Sequence, residues 1–135
     1  CMRWWATVGD GAYFNGTRIH VSTVNELSDA HVSTTPNAGW EKVGGLPALQ
    51  QLQVDALRSR GFGDFWQHML VAQGAIDVAI DAIGLAPYDN AALYPIVQEA
   101  GGTITDRFGN VDCRANSSVS SNGLLHQTVI TRLPA

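Results

Sequence analysis

An extended apolar segment, Ile76-Asp77-Val78-Ala79-Ile80-Asp81, gives way across Gly84 and Pro87 to a helical stretch that closes on Gly101-Gly102. Alternation and β-branching in the first part predict a buried strand, and the glycine pair marks a helix end. A strand feeding a helix through a short loop is the repeating unit of α/β folds. Sites in such folds open beyond the carboxyl ends of the strands. Two acids frame that opening here, Asp81 at the strand end and Asp89 at the helix start. A carboxylate held between two rigid elements suits a hard-cation ligand or a general base. It equally suits a helix cap that accepts from a backbone N–H two or three residues on. Pro95, inside the helical stretch, predicts a kink or a boundary.

The rest of the chain continues the alternation of strands and helices. Residues 2–8 read as a strand, Gly9-Asp10-Gly11 as a turn, and Asn15-Gly16 as a type I′ hairpin signal before a strand at 17–21. The glycines at 9, 11 and 16 lack G-x-G-x-x-G spacing and a following helix, which excludes a dinucleotide loop. A one-turn helix is expected near Asn25-Glu26-Leu27, a strand at 31–35, a loop at 37–45 and an amphipathic helix at 46–57 with Pro47 in its first turn. Residues 58–64 read as a polar strand or loop, and 65–73 as a helix stopped by Gly74. Beyond Gly102 come strands at 103–106 and 117–121, a turn at 107–110 with an edge strand at Val111, and a final helix at 124–133. The expectation is one α/β domain: a mixed β-sheet flanked by helices, plus one hairpin.

Composition narrows the function classes. A hydrophobic content of 45% against 15% charged residues describes a folded globular chain, not a disordered one. The net charge of −4, with Lys and Arg scattered, argues against nucleic acid as a partner. No apolar run approaches the roughly 20 residues of a membrane helix, so no membrane is expected either. Cys1 and Cys113 form no metal-spaced pair, which makes a reduced, cytoplasmic protein the default expectation. Cys1-Met2-Arg3-Trp4-Trp5 starts in an apolar strand-like run without a charged leader, so the chain is expected to be part of something longer. Trp4, Trp5 and Trp40 are candidates for burial against a missing domain or partner, or for ordinary core positions.

Arg60-Gly61-Phe62-Gly63-Asp64 sets a base and an acid four residues apart, with glycines that let backbone approach a ligand. The pair suits an amine-bearing or zwitterionic substrate, or else an ion pair and a cap before the helix at 65–73. Asp77 and Asp81 share one face of their strand; Asp77 reads as a turn acid, whereas Asp81 lies at the strand end where sites open. Histidines 20, 31, 68 and 126 show no zinc-ligand spacing and read as surface or core residues. No Ser sits in a G-x-S-x-G elbow and neither Cys has a nucleophile context. Any hydrolytic chemistry would therefore use metal-activated water.

With these residues laid out, the chain resembles the C-terminal half of the inositol monophosphatase-like superfamily over nearly its full length. Gly9-Asp10-Gly11-Ala12-Tyr13-Phe14-Asn15-Gly16 with Ile19-His20-Val21-Ser22 resembles the family's G-x-G-A-aromatic-x-N-G hairpin and I-x-V-S strand. Val71-Ala72-Gln73-Gly74-Ala75-Ile76-Asp77 is similar to V-A-x-G-x-x-D. Tyr88-Asp89-Asn90-Ala91-Ala92 with Glu99-Ala100-Gly101-Gly102 matches W/Y-D-x-A-A … E-A-G-G. Within the superfamily, Arg60-x-x-Gly63-Asp64, Pro87-Tyr88-Asp89 and Asn122-Gly123-Leu124-Leu125-His126 most resemble histidinol-phosphate phosphatases.

The resemblance implies the superfamily's layered α/β sandwich and Mg²⁺-dependent hydrolysis of a small phosphate monoester, histidinol phosphate in histidine biosynthesis. Inositol phosphate, or a non-catalytic binding module, is the alternative. It also implies Asp89 as a metal ligand, with Arg60, Asp64 and Asp81 facing the substrate, and a homodimer. Asp81 stands eight residues before Asp89, whereas the family's substrate-binding acid, usually Glu, stands seven before. The family's other metal ligands, on G-E-E and D-P-I-D-G-T segments, occur nowhere in these 135 residues. The chain alone is therefore expected to be inactive.

Overall fold

A computed structural model describes residues 1–134. Its centre is a five-stranded mixed sheet in the order β5-β4-β6-β8-β7. The strands are β4 (His31–Thr34), β5 (Arg58–Arg60), β6 (Val78–Ile80), β7 (Thr103–Thr105) and β8 (Val119–Ser121). The first three run parallel and the last two antiparallel to their neighbours. A separate antiparallel sheet joins β1 (Trp4–Thr7), β2 (Gly11–Phe14) and β3 (Thr17–Ile19). Its hairpin turns at Asn15 and Gly16, with φ of 49° and 82°. That is the positive-φ pair a type I′ turn demands.

Period-two alternation sends neighbouring side chains of the mixed sheet to opposite layers. Val32, Val78, Ile80 and Val119 face a core built with Trp40, Leu49, Leu52, Leu125 and Val129. These come from α1 (Ala38–Lys42), α2 (Leu46–Asp55), and α6 (His126–Ile130) with Leu125 just before it. Ala79 turns the other way, toward Val71 of α3 (Asp64–Ala72). Beyond lie Met69, Leu93, Val97 and Ile104, packed with Ala12 and Ile19 of the hairpin sheet. α5 (Leu93–Glu99) thus lies between the two sheets, and the fold is the expected layered α/β sandwich.

Several expectations need correction. Residues 37–45 are not all loop: Asn37 accepts from the Trp40 N–H and caps α1, and its amide also donates to the Ile83 carbonyl at 2.8 Å. Val111 forms no edge strand, because the turn after β7 closes on itself: Asp106 accepts from Phe108 and Asn110. The final helix is only His126–Ile130, and the early one-turn helix falls at Leu27–Asp29. The helical stretch after Pro87 breaks into α4 (Pro87–Asn90) and α5, before Pro95 rather than at it. A proline ring clashes with the carbonyl four residues earlier, here Ala91, which is where the break falls. Trp40 is a fully buried core residue, whereas Trp5 stacks on Tyr13 at the surface.

Candidate active site

At the carboxyl end of β6 a cavity of about 370 Å³ is lined by Asp64, Phe65, Asp81, Leu85, Tyr88, Asp89 and Leu93. Three elements meet here. β6 ends one residue before Asp81, α3 begins at Asp64, and α4 carries Asp89. Asp64 adopts φ 50° directly after Gly63 at 76°. Left-handed backbone at a non-glycine residue costs roughly 1 kcal/mol, and Asp is among the few residue types that tolerate it.

Asp81 is the buried member of the set. Its Oδ1 accepts from the Ala82 N–H at 2.8 Å and lies 3.3 Å from the Thr35 hydroxyl. Its Oδ2 lies 3.1 Å from Nε2 of the fully buried His68. The Asp81 carbonyl accepts from the Trp40 indole N–H at 2.8 Å, so backbone and side chain are both held. Asp89 is exposed, and its Oδ2 accepts from the Ala86 N–H at 2.8 Å. Asp89 is therefore not the cap expected from the sequence: it sits at the third position of α4 and reaches back to Ala86, a bond that uses one oxygen and leaves the carboxylate on the cavity wall. Asp64 forms no ion pair with Arg60; the Arg–carboxylate pairs among the described residues are Arg114–Asp112 and Arg132–Asp55.

The structure does not bring Arg60 into this cavity. Arg58 and Arg60 alternate onto the same side of β5 and line a second cavity of about 270 Å³ with His31, Phe62 and Trp66. The Arg60 guanidinium donates to the Ser59 carbonyl at 2.8 Å. The expectation that it shares a pocket with Asp64 is corrected: the glycines at 61 and 63 turn the chain between them, so four residues of sequence separation do not become proximity. Asp77, at the opposite end of β6 from Asp81, is the structural acid it was expected to be. It accepts from the Ser22 hydroxyl and from the His31 N–H at 2.7 Å. His68, read from the sequence as a surface or core histidine, is fully buried and reaches Asp81. Its one local signal is the i, i+4 spacing from Asp64 on α3.

Most of the signature residues prove to be latches. Glu99 accepts from the Gly11 N–H at 2.9 Å and the Gly9 N–H at 3.1 Å, so the E-A-G-G segment holds the G-x-G-A hairpin. Those two donors keep its carboxyl below the ordinary carboxylate range. Ser22 binds Asp77, which joins the I-x-V-S segment to V-A-x-G-x-x-D. Asn122 donates to the Val24 carbonyl at 2.6 Å and to the Ser22 hydroxyl at 3.1 Å. Of the resemblance motifs, the Tyr88-Asp89 and Gly63-Asp64 segments are the ones that reach the cavity.

The donor set suits a hard cation in type but not in number. Asp89 offers an exposed carboxylate oxygen, the ligand Mg²⁺ prefers. Among the described residues, however, no group of three or more His, Cys, Asp or Glu side chains could hold a metal ion. These acids do not form a closed cage. No helix among the described residues is long and apolar enough to cross a membrane.

Residues 2–134 match the inositol monophosphatase family. The histidinol-phosphatase of Mycobacterium tuberculosis is 41% identical over 138 residues, an alignment covering 98% of this chain and 53% of that protein. The histidinol-phosphatase of Streptomyces coelicolor is 38% identical over 133 residues, covering 95% of this chain and 50% of its own length. Among solved structures, the IMPase of Thermotoga maritima superposes with a TM-score of 0.85 at 29% identity, covering 97% of this chain and 50% of that one. The chain thus spans about half the length of the curated relatives it matches.

Proposed function

The chain belongs to the inositol monophosphatase family, and from that premise we propose that it forms the C-terminal part of a Mg²⁺-dependent phosphatase converting histidinol phosphate and water to histidinol and phosphate. The observation that carries the reading is the cavity itself: three carboxylates, two aromatic side chains, and no Lys, Arg or His among the described residues lining it. Such a wall repels a phosphate dianion unless a cation stands between them, yet it attracts an ammonium or imidazolium group. Inositol carries only neutral hydroxyls, which can donate to these carboxylates but bring no positive charge for them to attract. Phe65 and Tyr88, the latter 86% exposed, offer aromatic faces to the same cationic end.

In this reading Asp89 supplies one Mg²⁺ ligand, and the others come from G-E-E and D-P-I-D-G-T segments outside these 135 residues. Bound Mg²⁺ would neutralise the phosphate and lower the pKa of its water. Asp64 and Asp81 bind and orient the amino alcohol end, Asp81 from a fixed direction and Asp64 from the exposed rim. Arg60 belongs to the other cavity and has no role in this constellation. The proposal includes a cytoplasmic homodimer serving histidine biosynthesis.

The test is phosphate release by a polypeptide that contains this chain together with the two missing segments. Histidinol phosphate and inositol 1-phosphate are compared, each with Mg²⁺ and with a chelator. Turnover of histidinol phosphate that the chelator abolishes is expected, with none from the 135-residue chain alone. A preference for inositol phosphate would overturn the substrate assignment. Turnover by the isolated chain would overturn the need for outside ligands.

A further inference from the structure

His68 is a fully buried imidazole within α3, on a helix otherwise packed through Met69, Val71 and Ala72. Burying such a ring costs free energy unless its nitrogens find partners. Both do: Nδ1 lies 2.7 Å from Ser120 Oγ, while Nε2 lies 3.1 Å from Asp81 Oδ2 and 3.2 Å from Ser118 Oγ. A carboxylate only accepts, so Nε2 carries the proton and Nδ1 accepts from the Ser120 hydroxyl. Asp81 then has three protein donors within reach: the Ala82 N–H, the Thr35 hydroxyl and His68 Nε2–H. A carboxylate has roughly four acceptor sites, which leaves about one for a ligand in the cavity.

Resting on the reading of Asp81 as a substrate ligand, we propose that His68 is a positioning residue. Tied to β8 through Ser120, it holds the Asp81 carboxylate in one orientation so that its remaining acceptor site serves the substrate's cationic group. His68 touches no substrate itself. Its effect is on substrate binding, and the turnover step proceeds without it.

Two measurements test this. Long-range ¹H–¹⁵N correlation on this chain reads the His68 tautomer directly; Nε2–H is expected, and Nδ1–H overturns the assignment. In the longer polypeptide, His68→Leu should raise KM for histidinol phosphate about tenfold with kcat within about twofold, since one ground-state contact is misdirected. His68→Gln places an amide N–H near the Nε2 position and should keep KM within about threefold of the parent. An unchanged KM in the Leu variant, or equal losses in both variants, overturns the proposal. If the Leu variant fails to fold, the tautomer and the Gln variant still decide. A longer polypeptide with no turnover on histidinol phosphate refutes the proposed function instead, and the tautomer alone then decides for or against His68.

Discussion

His126 is the group whose titration should be most visible in the stability of this protein. It opens α6 with both ring nitrogens engaged: Nε2 lies 2.8 Å from Thr105 Oγ1 and Nδ1 lies 2.9 Å from Ser121 Oγ. The Thr105 hydroxyl already donates to the Asp106 carbonyl, so it accepts from Nε2–H, and the Ser121 hydroxyl donates to Nδ1. That arrangement satisfies the neutral ring and has no place for a second proton. Burial agrees, pushing its pKa from the usual 6.5 down to about 4. Below pH 6.5 the unfolded chain takes up a proton that the folded chain refuses, so stability falls as pH falls. The loss runs at about 1.4 kcal/mol per pH unit between 6.5 and 4, and totals roughly 3 kcal/mol before the folded state protonates too. Urea unfolding at intervals from pH 7.5 to 4 measures it, with His126→Gln as the reference that cannot titrate. The Gln variant should be less stable at pH 7.5, and its disadvantage should shrink steadily as the pH falls through this window. Two parallel curves would refute the argument, because they would mean that His126 binds its proton equally in both states.

Two further outcomes follow from the latches. An alanine Cβ at Gly102 would lie 2.6 Å from the Ser121 carbonyl oxygen and 3.0 Å from Val97. Gly102→Ala should therefore destabilise by about 1–3 kcal/mol, read as a lower urea midpoint with an unchanged slope. Glu99 is held below its ordinary value of 4.5 by the Gly11 and Gly9 N–H groups. Its contribution is present above that ordinary value and disappears as pH falls through the lowered one. Glu99→Gln should then be less stable than the parent at neutral pH, with the gap closing only under stronger acid than the His126 effect requires; thermal melts at pH 7 and pH 3 would show it.

Local chemistry made much of this fold legible. The Asn15-Gly16 turn needs positive φ at two successive residues, a requirement few dipeptides meet cheaply, and it formed where expected. β6 and α3 were readable because period and punctuation agreed, with Gly74 closing the helix. α1 escaped because its cap, Asn37, is also fixed by the Ile83 carbonyl, a partner 46 residues away. The Val111 strand failed for the complementary reason. The outer edge of β7 is free, but Asp106 accepts from the Phe108 and Asn110 N–H groups and holds the chain in a local turn instead of along that edge.

The candidate site divides the same way. Asp81 and Asp89 were visible from sequence because a strand end, a loop and a helix start are local events, and each confines a carboxylate to a narrow range of directions. Whether Asp64 or Arg60 would join them was not local. The two lie four residues apart, yet one faces the acidic cavity and the other lines a separate one on the edge strand. His68 acquires its role only when Ser118 and Ser120, some fifty residues downstream, are laid beside it by antiparallel pairing of β6 with β8. The amino-acid order by itself therefore determined which elements form and which acids stand at their ends, since those depend on backbone preferences within a few residues. Only the packed layers decided which side chains meet, because a contact between distant segments depends on strand order and register, and no short stretch of chain encodes either.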